Sequence, residues 1–258
     1  MEEKLKAFER LLVIMDELRE KCPWDKKQTF ESLRSNTIEE TYELADAIID
    51  KNISEIKKEL GDLLLHIVFY AKIGSETNDF DISDVINSLC EKLIYRHPHI
   101  YGDVKVTDAQ NVAENWEKLK LKEKDRNKSV LEGVPKSLPA LVKANRIQEK
   151  VKGVGFDWEE RNQVWNKVIE EFKELKTEIQ NNSDQQRIES EFGDVFFSLI
   201  NAARLYDIDP ENALERTNKK FIKRFNYLEE KTIKKGIDLK EMTLDEMNAI
   251  WEEAKKFD

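Results

Sequence analysis

Along most of the chain apolar residues return at three- and four-residue intervals, the period of a helix buried on one face, and no stretch alternates as a half-exposed strand would. Leu5 to Leu18 follows this rule and predicts an amphipathic helix that ends before Cys22-Pro23-Trp24-Asp25, since the residue ahead of a proline avoids helical geometry. The proline beside a tryptophan marks a turn carrying an aromatic anchor. Two further helices are expected, over residues 33–49 and 54–73, the second stopping at Gly74, where a left-handed cap suits glycine. Inside that second helix Leu63-Leu64-Leu65-His66-Ile67-Val68-Phe69-Tyr70-Ala71 is apolar nearly all round, which implies a helix enclosed by neighbours. Asp81-Ile82-Ser83-Asp84 starts another helix, which carries Lys92 and Arg96 and stops at His97-Pro98. A loop through Gly102 leads to one more, ending near Trp116.

The pattern then restarts. Gly155-Phe156-Asp157-Trp158 stands where Pro23-Trp24-Asp25 stood, an acidic helix follows from Glu160 to Ile179, and Val195-Phe196-Phe197-Ser198-Leu199-Ile200 repeats the apolar run. Asp209-Pro210-Glu211 has a capping side chain, a first-turn proline and an acid at the positive helix end, so it opens the helix holding Lys220 and Arg224. Five features recur in order at offsets of about 128 to 135 residues, the mark of a duplicated unit. The expected architecture is therefore all-α, two tandem helical bundle domains over residues 1–124 and 140–258, joined by a linker over 125–139 that is polar first and then bracketed by Pro135 and Pro139.

Composition narrows the picture. Eight glycines and five prolines in 258 residues are few, and 37% of the residues are charged, as an all-helical chain requires. The net charge of -10 argues against general binding to nucleic acid or anionic membrane, yet a metal and a few lysines can reverse its sign locally for a small phosphate ligand. The apolar run of residues 63–71 is too short to span a bilayer, Met1-Glu2-Glu3-Lys4 lacks the features of a secretory signal, and Cys22 and Cys90 form no framework, so a cytoplasmic protein is expected.

The candidate chemistry lies in the acids. Copy one sets Glu39-Glu40-Thr41-Tyr42-Glu43 before Glu59-Leu60-Gly61-Asp62; copy two sets Glu170-Glu171-Phe172-Lys173-Glu174 before Glu191-Phe192-Gly193-Asp194. Acids three apart share one side of a helix with Cβ atoms about 5–6 Å apart, and two such helices can aim four carboxylates at one point. Carboxylates so packed repel unless they are protonated or shared by divalent cations, and magnesium, with manganese as a substitute, prefers hard oxygen ligands completed by substrate phosphates. Glu-x-x-Glu alone is ordinary surface charge; the Glu-x-Gly-Asp leading into an apolar helix, found twice beside it, is not. Lys92 with Arg96 and Lys220 with Arg224 step by four and would meet phosphate oxygens beside such a site, joined by Lys167 one turn before Glu171. Trp24, Trp116, Trp158 and Trp251 read as anchors, with Trp251 a candidate for stacking on a base. His66 reads as a hydrogen-bonded core residue, and His97 and His99 receive no role.

Taken together, these motifs, with Cys22-Pro23-Trp24-Asp25-x-x-Gln28-Thr29, Arg96-His97-Pro98-His99-Ile100-Tyr101 and Val154-Gly155-Phe156-Asp157-Trp158, make the whole chain resemble the two-copy bacterial form of the MazG family of nucleoside triphosphate pyrophosphohydrolases. The resemblance implies an all-α homodimer that uses magnesium to hydrolyse nucleoside triphosphates to monophosphate and pyrophosphate, by metal-activated water attacking the α-phosphorus. It implies metal ligands at Glu171, Glu174, Glu191 and Asp194, and at Glu40, Glu43, Glu59 and Asp62 in copy one. Nucleotide contacts would come from Lys167, Val168, Ile169, Glu170 and Glu171, from Arg187, Ile188, Glu189 and Ser190, and from Asp194, Lys220, Arg224 and Trp251, with Glu170 or Glu171 taking the water's proton. The basic helix of copy one is cut short by Pro98, so copy two is expected to be the main active site. A di-iron bundle would need Glu-x-x-His, and Leu63, Ile94 and Arg96 stand three before the histidines. The remaining alternative is a non-catalytic helical module that senses nucleotides or dimerises.

Overall fold

The computed structural model describes residues 1–104, 112, 116, 119, 129–158, 160–234 and 236–257, which divide into two compact units, Met1–Val112 and Ala113–Asp258. The first holds α1 (Glu2–Lys21), α2 (Phe30–Ile49), α3 (Ile53–Glu76), α4 (Ile82–Arg96) and the single turn α5 (Pro98–Tyr101). The second holds α6 (Ala140–Lys152), α7 (Arg161–Gln180), α8 (Gln185–Leu205), α9 (Pro210–Ile233) and α10 (Leu244–Ala254). Among the described residues there is no strand, so the all-α expectation holds. Trp116 is helical and exposed, whereas Asn115, Glu117, the expected boundary at 124 and residues 125–128 of the expected linker lie outside the described residues.

One antiparallel hairpin recurs in the two units, α2 with α3 and α7 with α8. Its turn begins the same way in both and is one residue longer in the second: Lys51 and Asn182 adopt left-handed φ of 54° and 50°, and the next residues, Asn52 and Ser183, donate from their amides to the carbonyls of Ala47 and Glu178 at 3.0 and 3.1 Å. Left-handed backbone at that place lets the chain reverse while the last helical carbonyls stay satisfied. Side-chain caps then restart the chain, Asn52 accepting from the Glu55 amide and Asp184 from the Arg187 amide. Reversal in so few residues makes positions equidistant from the turn face one another. Glu43 and Glu59 lie eight residues to either side of Lys51, and Glu40 and Asp62 eleven.

The core of the first unit gathers Met15, Leu33, Val68, Phe69 and Ile73, with Phe8, Leu11 and Leu12 against it; that of the second gathers Val164, Val168 and Ala202 with Leu205. The turn after α1 is held differently from the sequence expectation. Trp24 is 58% exposed and anchors nothing; instead Arg19 donates to both oxygens of Glu76 and to the carbonyls of Asp25 and Gln28, tying the turn to the end of α3. In the second unit Arg204 of α8 grips Asp157 in the corresponding turn. A guanidinium can satisfy several loop acceptors at once, which an indole cannot.

Two further expectations are corrected. Gly74 does not cap α3, which runs on to Glu76 and gives way to the left-handed Asn78 at φ 58°. Its glycine serves close packing: a Cβ there would lie 2.9 Å from the Phe80 carbonyl oxygen and 2.8 Å from the Phe80 ring. The apolar run of α3 is also enclosed on one side only. Val68, Phe69, Ala71 and Ile73 are buried, while Leu64, Leu65 and Ile67 are exposed; Phe196, Phe197 and Leu199 of α8 are exposed likewise, and α4 has no buried residue at all. Among the described residues, no helix of either unit covers these faces.

Replacing Gly74 by Ala adds helix propensity worth about 1 kcal/mol but forces backbone at Phe80 to move, an overpacking cost of about 1–3 kcal/mol. The clash should win, and urea unfolding of Gly74→Ala is expected to show a destabilised first unit. A gain in stability would show that glycine is not required there.

Candidate metal centre

Each hairpin brings together three of the four predicted acids. In the first, carboxylate oxygens of Glu40, Glu43 and Glu59 all lie within 4.8 Å of one another, and in the second those of Glu171, Glu174 and Glu191 do the same. Both groups have a buried wall and an open mouth. Glu59 is 2% and Glu171 7% exposed, whereas Glu43 and Glu174 face solvent. The fourth acids, Asp62 and Asp194, stand at the edge and act through their charge. Burial, reinforced by Asp62, Glu43 and Glu59, pushes the Glu40 carboxyl above the usual carboxylate range. Burial followed by the charges of Glu174, Asp194, Glu171 and Glu178 does the same to Glu191.

Two oxygens decide what the groups are suited to. Glu59 Oε2 and Glu191 Oε2 are buried and accept no hydrogen bond, an arrangement that costs stability unless a proton or cation is shared there. Hard anionic oxygens at this spacing fit magnesium or manganese, and the set contains no thiolate or imidazole that would favour a softer ion. The glycines of the two Glu-x-Gly-Asp motifs, Gly61 and Gly193, have nothing within 4 Å of where a Cβ would stand, so the helix face beside the acids is open.

A lysine closes each group, on opposite helices. Lys167 of α7 lies 2.8 Å from both Glu170 and Glu171, whose hydrogen bonds push its ammonium above the ordinary lysine range. In copy one Asn36 occupies that place, and Lys58 of α3, where copy two has Ser190, lies 2.9 Å from Glu59. Below the first acid group, Thr37 Oγ1 meets His66 Nδ1 at 3.2 Å and the Tyr70 hydroxyl at 2.7 Å, so His66 is the hydrogen-bonded core histidine expected, and burial lowers its pKa against the opposing charge of Asp62.

The other predicted nucleotide residues fall into separate places. Val168 is buried in the core, so its side chain packs rather than projecting to a ligand, while Ile169 is exposed. Arg187, Ile188, Glu189 and Ser190 lie in the first two turns of α8, with Arg187 3.6 Å from Asp184. Lys220, Arg224 and Trp251 belong to a second group, carried by α9 and α10 rather than by the α7–α8 hairpin. There the Arg224 guanidinium lies 5.6 Å over the Trp251 ring, whose other neighbour, Phe221, is 4.9 Å away. Lys58 and Glu178 went unassigned in the sequence, although Lys58 adjoins Glu59 and Glu178 follows Glu174 by one turn.

Comparison with known proteins finds one family match in each copy. The family described as the MazG nucleotide pyrophosphohydrolase domain matches twice, over residues 28–101 and 160–228, and each match contains one acid hairpin. The chain is 45% identical over 251 residues to the "Nucleoside triphosphate pyrophosphohydrolase/pyrophosphatase MazG" of Thermotoga maritima, covering 96% of this chain and 95% of that one. It is 38% identical over 258 residues to the "Nucleoside triphosphate pyrophosphohydrolase" of Escherichia coli, covering 98% of each. An uncharacterised Bacillus subtilis protein, YabN, is 46% identical over 260 residues, covering 99% of this chain and 53% of that one.

Glu191 holds its proton to higher pH in the native state than in the unfolded chain. Its contribution to stability is therefore full below the unfolded value and is lost as the pH rises through the raised native one. In protein stripped of divalent cations, Glu191→Gln, which mimics the protonated form, should melt above the parent at neutral pH, with the gap closing as the pH falls toward 4.5. A gap independent of pH would overturn the electrostatic reading of this group.

Proposed function

The chain belongs to the MazG nucleotide pyrophosphohydrolase family and is a nucleoside triphosphate pyrophosphohydrolase, and from that premise we propose that its second copy carries the reaction, with magnesium held by Glu171, Glu174, Glu191 and Asp194. The observation that carries the proposal is the group of three carboxylates within 4.8 Å whose Glu191 oxygen is buried without a partner. Magnesium bound there supplies Lewis acidity, lowering the pKa of water and neutralising phosphate charge.

The rest falls to the chain's own residues. Water adds to the α-phosphorus, the bond to the oxygen bridging the α- and β-phosphates breaks, and pyrophosphate leaves with the monophosphate as the other product. Glu170, at the open mouth and held by Lys167, takes the proton of the water, and Glu171 is its alternate. Lys167 also offsets the charge of the acids on the side where the triphosphate enters. Arg224 forks onto phosphate oxygens and Lys220 adds a compact charge, while Trp251 gives the base or ribose an aromatic surface. Among the described residues copy one offers a shorter counterpart: Lys92 and Arg96 stand at the places of Lys220 and Arg224, but α4 has 15 residues where α9 has 24, and Asn36 replaces Lys167.

The same reading includes a homodimer. In the first unit Val85, Ile86, Leu89 and Leu93 lie exposed on α4, as do Leu64 and Ile67 on α3, and in the second unit Phe196 lies exposed on α8; each is an apolar face suited to an obligate interface. No helix among the described residues is long and apolar enough to cross a membrane, so neither face belongs to a spanning helix.

Incubation with a triphosphate and magnesium should release pyrophosphate and monophosphate in equal amounts; orthophosphate alone would overturn cleavage at the α-phosphorus. Glu171→Gln and Glu174→Gln should each lower turnover by about 100-fold or more while the helical circular dichroism signal is retained. Full activity in both variants would move the catalytic assignment to copy one.

A further inference from the structure

The two acid groups are built on the same hairpin, but the charges flanking them are not the same. In copy one Lys58 sits at the rim, its Nζ 2.9 Å from Glu59 Oε1 and 4.0 Å from Glu55. One of the two Glu59 oxygens is therefore occupied by the chain's own cation, leaving Oε2 bare inside a side chain that is almost wholly buried. Ser190 stands at this place in copy two and carries no charge. In turn, copy two adds an acid that copy one lacks. Glu178 follows Glu174 by one turn on α7, its Oε2 is buried without a hydrogen-bond partner, and its charge acts on Glu191 across the hairpin. Its counterpart at the same turn of α2 is Ala47, which is buried and neutral.

Glu178 thus stands one turn beyond the three acids that meet, and like Glu191 it holds a buried oxygen without a partner, where the first copy has the methyl of Ala47 and the ammonium of Lys58 at the matching places. Resting on the metal reading above, we propose that Lys58 and Glu178 set the two copies apart as cation sites: Lys58 is a resident counter-cation that weakens divalent binding in copy one, and Glu178 is a fifth carboxylate that strengthens it in copy two. A divalent ion entering copy one has to displace an ammonium from Glu59 and meets no further acid beside it, whereas in copy two the ammonium on Glu171 is shared with Glu170, outside the group, and the ion meets an additional unpaired acid. Lys167 does not cancel the difference, because it is bound to Glu170 and Glu171 on the opposite side of the group from Glu178.

Manganese titration of the full chain without nucleotide, followed by electron paramagnetic resonance, tests this one copy at a time. With copy one disabled by Glu59→Gln, adding Glu178→Gln should weaken manganese binding about fivefold or more, since a unit charge a few ångströms from a divalent ion is worth at least that much at protein surfaces. With copy two disabled by Glu191→Gln, adding Lys58→Ser should tighten binding about threefold or more, while Lys58→Arg, which keeps the charge, should leave it at the parent value. Lys58 is exposed, so these changes leave the packing intact. Affinities unchanged by both Glu178→Gln and Lys58→Ser would overturn this inference and leave the metal reading standing. No manganese binding in either background would overturn both.

Discussion

Carboxylates repel one another, and a chain that holds three of them within 4.8 Å needs something that keeps them there. Here it is the helical hairpin. A short turn with one left-handed residue reverses the chain, and packing of α2 on α3, or of α7 on α8, aligns acids that lie equally far from it. The apolar residues just beyond the acids, Val68 and Phe69 in one copy and Val195 in the other, bury the walls against which the acids stand. The hydrophobic contacts thus hold an electrostatically unfavourable arrangement of the kind that a divalent cation would relieve. The repulsion among the acids and the use proposed for them are the same feature seen from two sides.

Duplication gives this protein an internal control. The left-handed turn residue, the hydrogen bond that follows it and the meeting of three acids recur at matching places, while the surroundings have diverged. Copy two has Lys167, a long basic helix and a tryptophan packed beside Arg224; copy one has Lys58, a basic helix that ends at Arg96 and a polar floor of Thr37, His66 and Tyr70. Val168, Ser198 and Ala202 replace that floor in copy two. What is shared is the part that gathers charge, and what differs is the part that would grip phosphate.

The open apolar faces of α3, α4 and α8 have a bearing on the site as well. Gly61 and Gly193 lie on the acid-bearing helices with free space where a side chain would be, so the surface next to the acids is smooth and accessible to a ligand or to another helix. Leu64 and Ile67 on α3 and Phe196 on α8 follow within two turns.

Much of this was legible without coordinates. The three-and-four spacing of apolar residues determined the helices, and the repeated Glu-x-x-Glu and Glu-x-Gly-Asp determined the duplication and the acids, because helical periodicity and motif spacing are properties of the chain alone. Tertiary structure decided the rest. Gly74 became a packing glycine because Phe80 folds back onto it, Trp24 gave up its anchoring role because Arg19 reaches several acceptors at once, and Val168 turned into the core. Glu178 gained meaning only when the hairpin set its charge against Glu191, and Lys58 when the fold buried the neighbouring Glu59. Proximity between residues on different helices depends on where the turn reverses the chain and on which face is buried, and neither distance is written in the sequence of either helix.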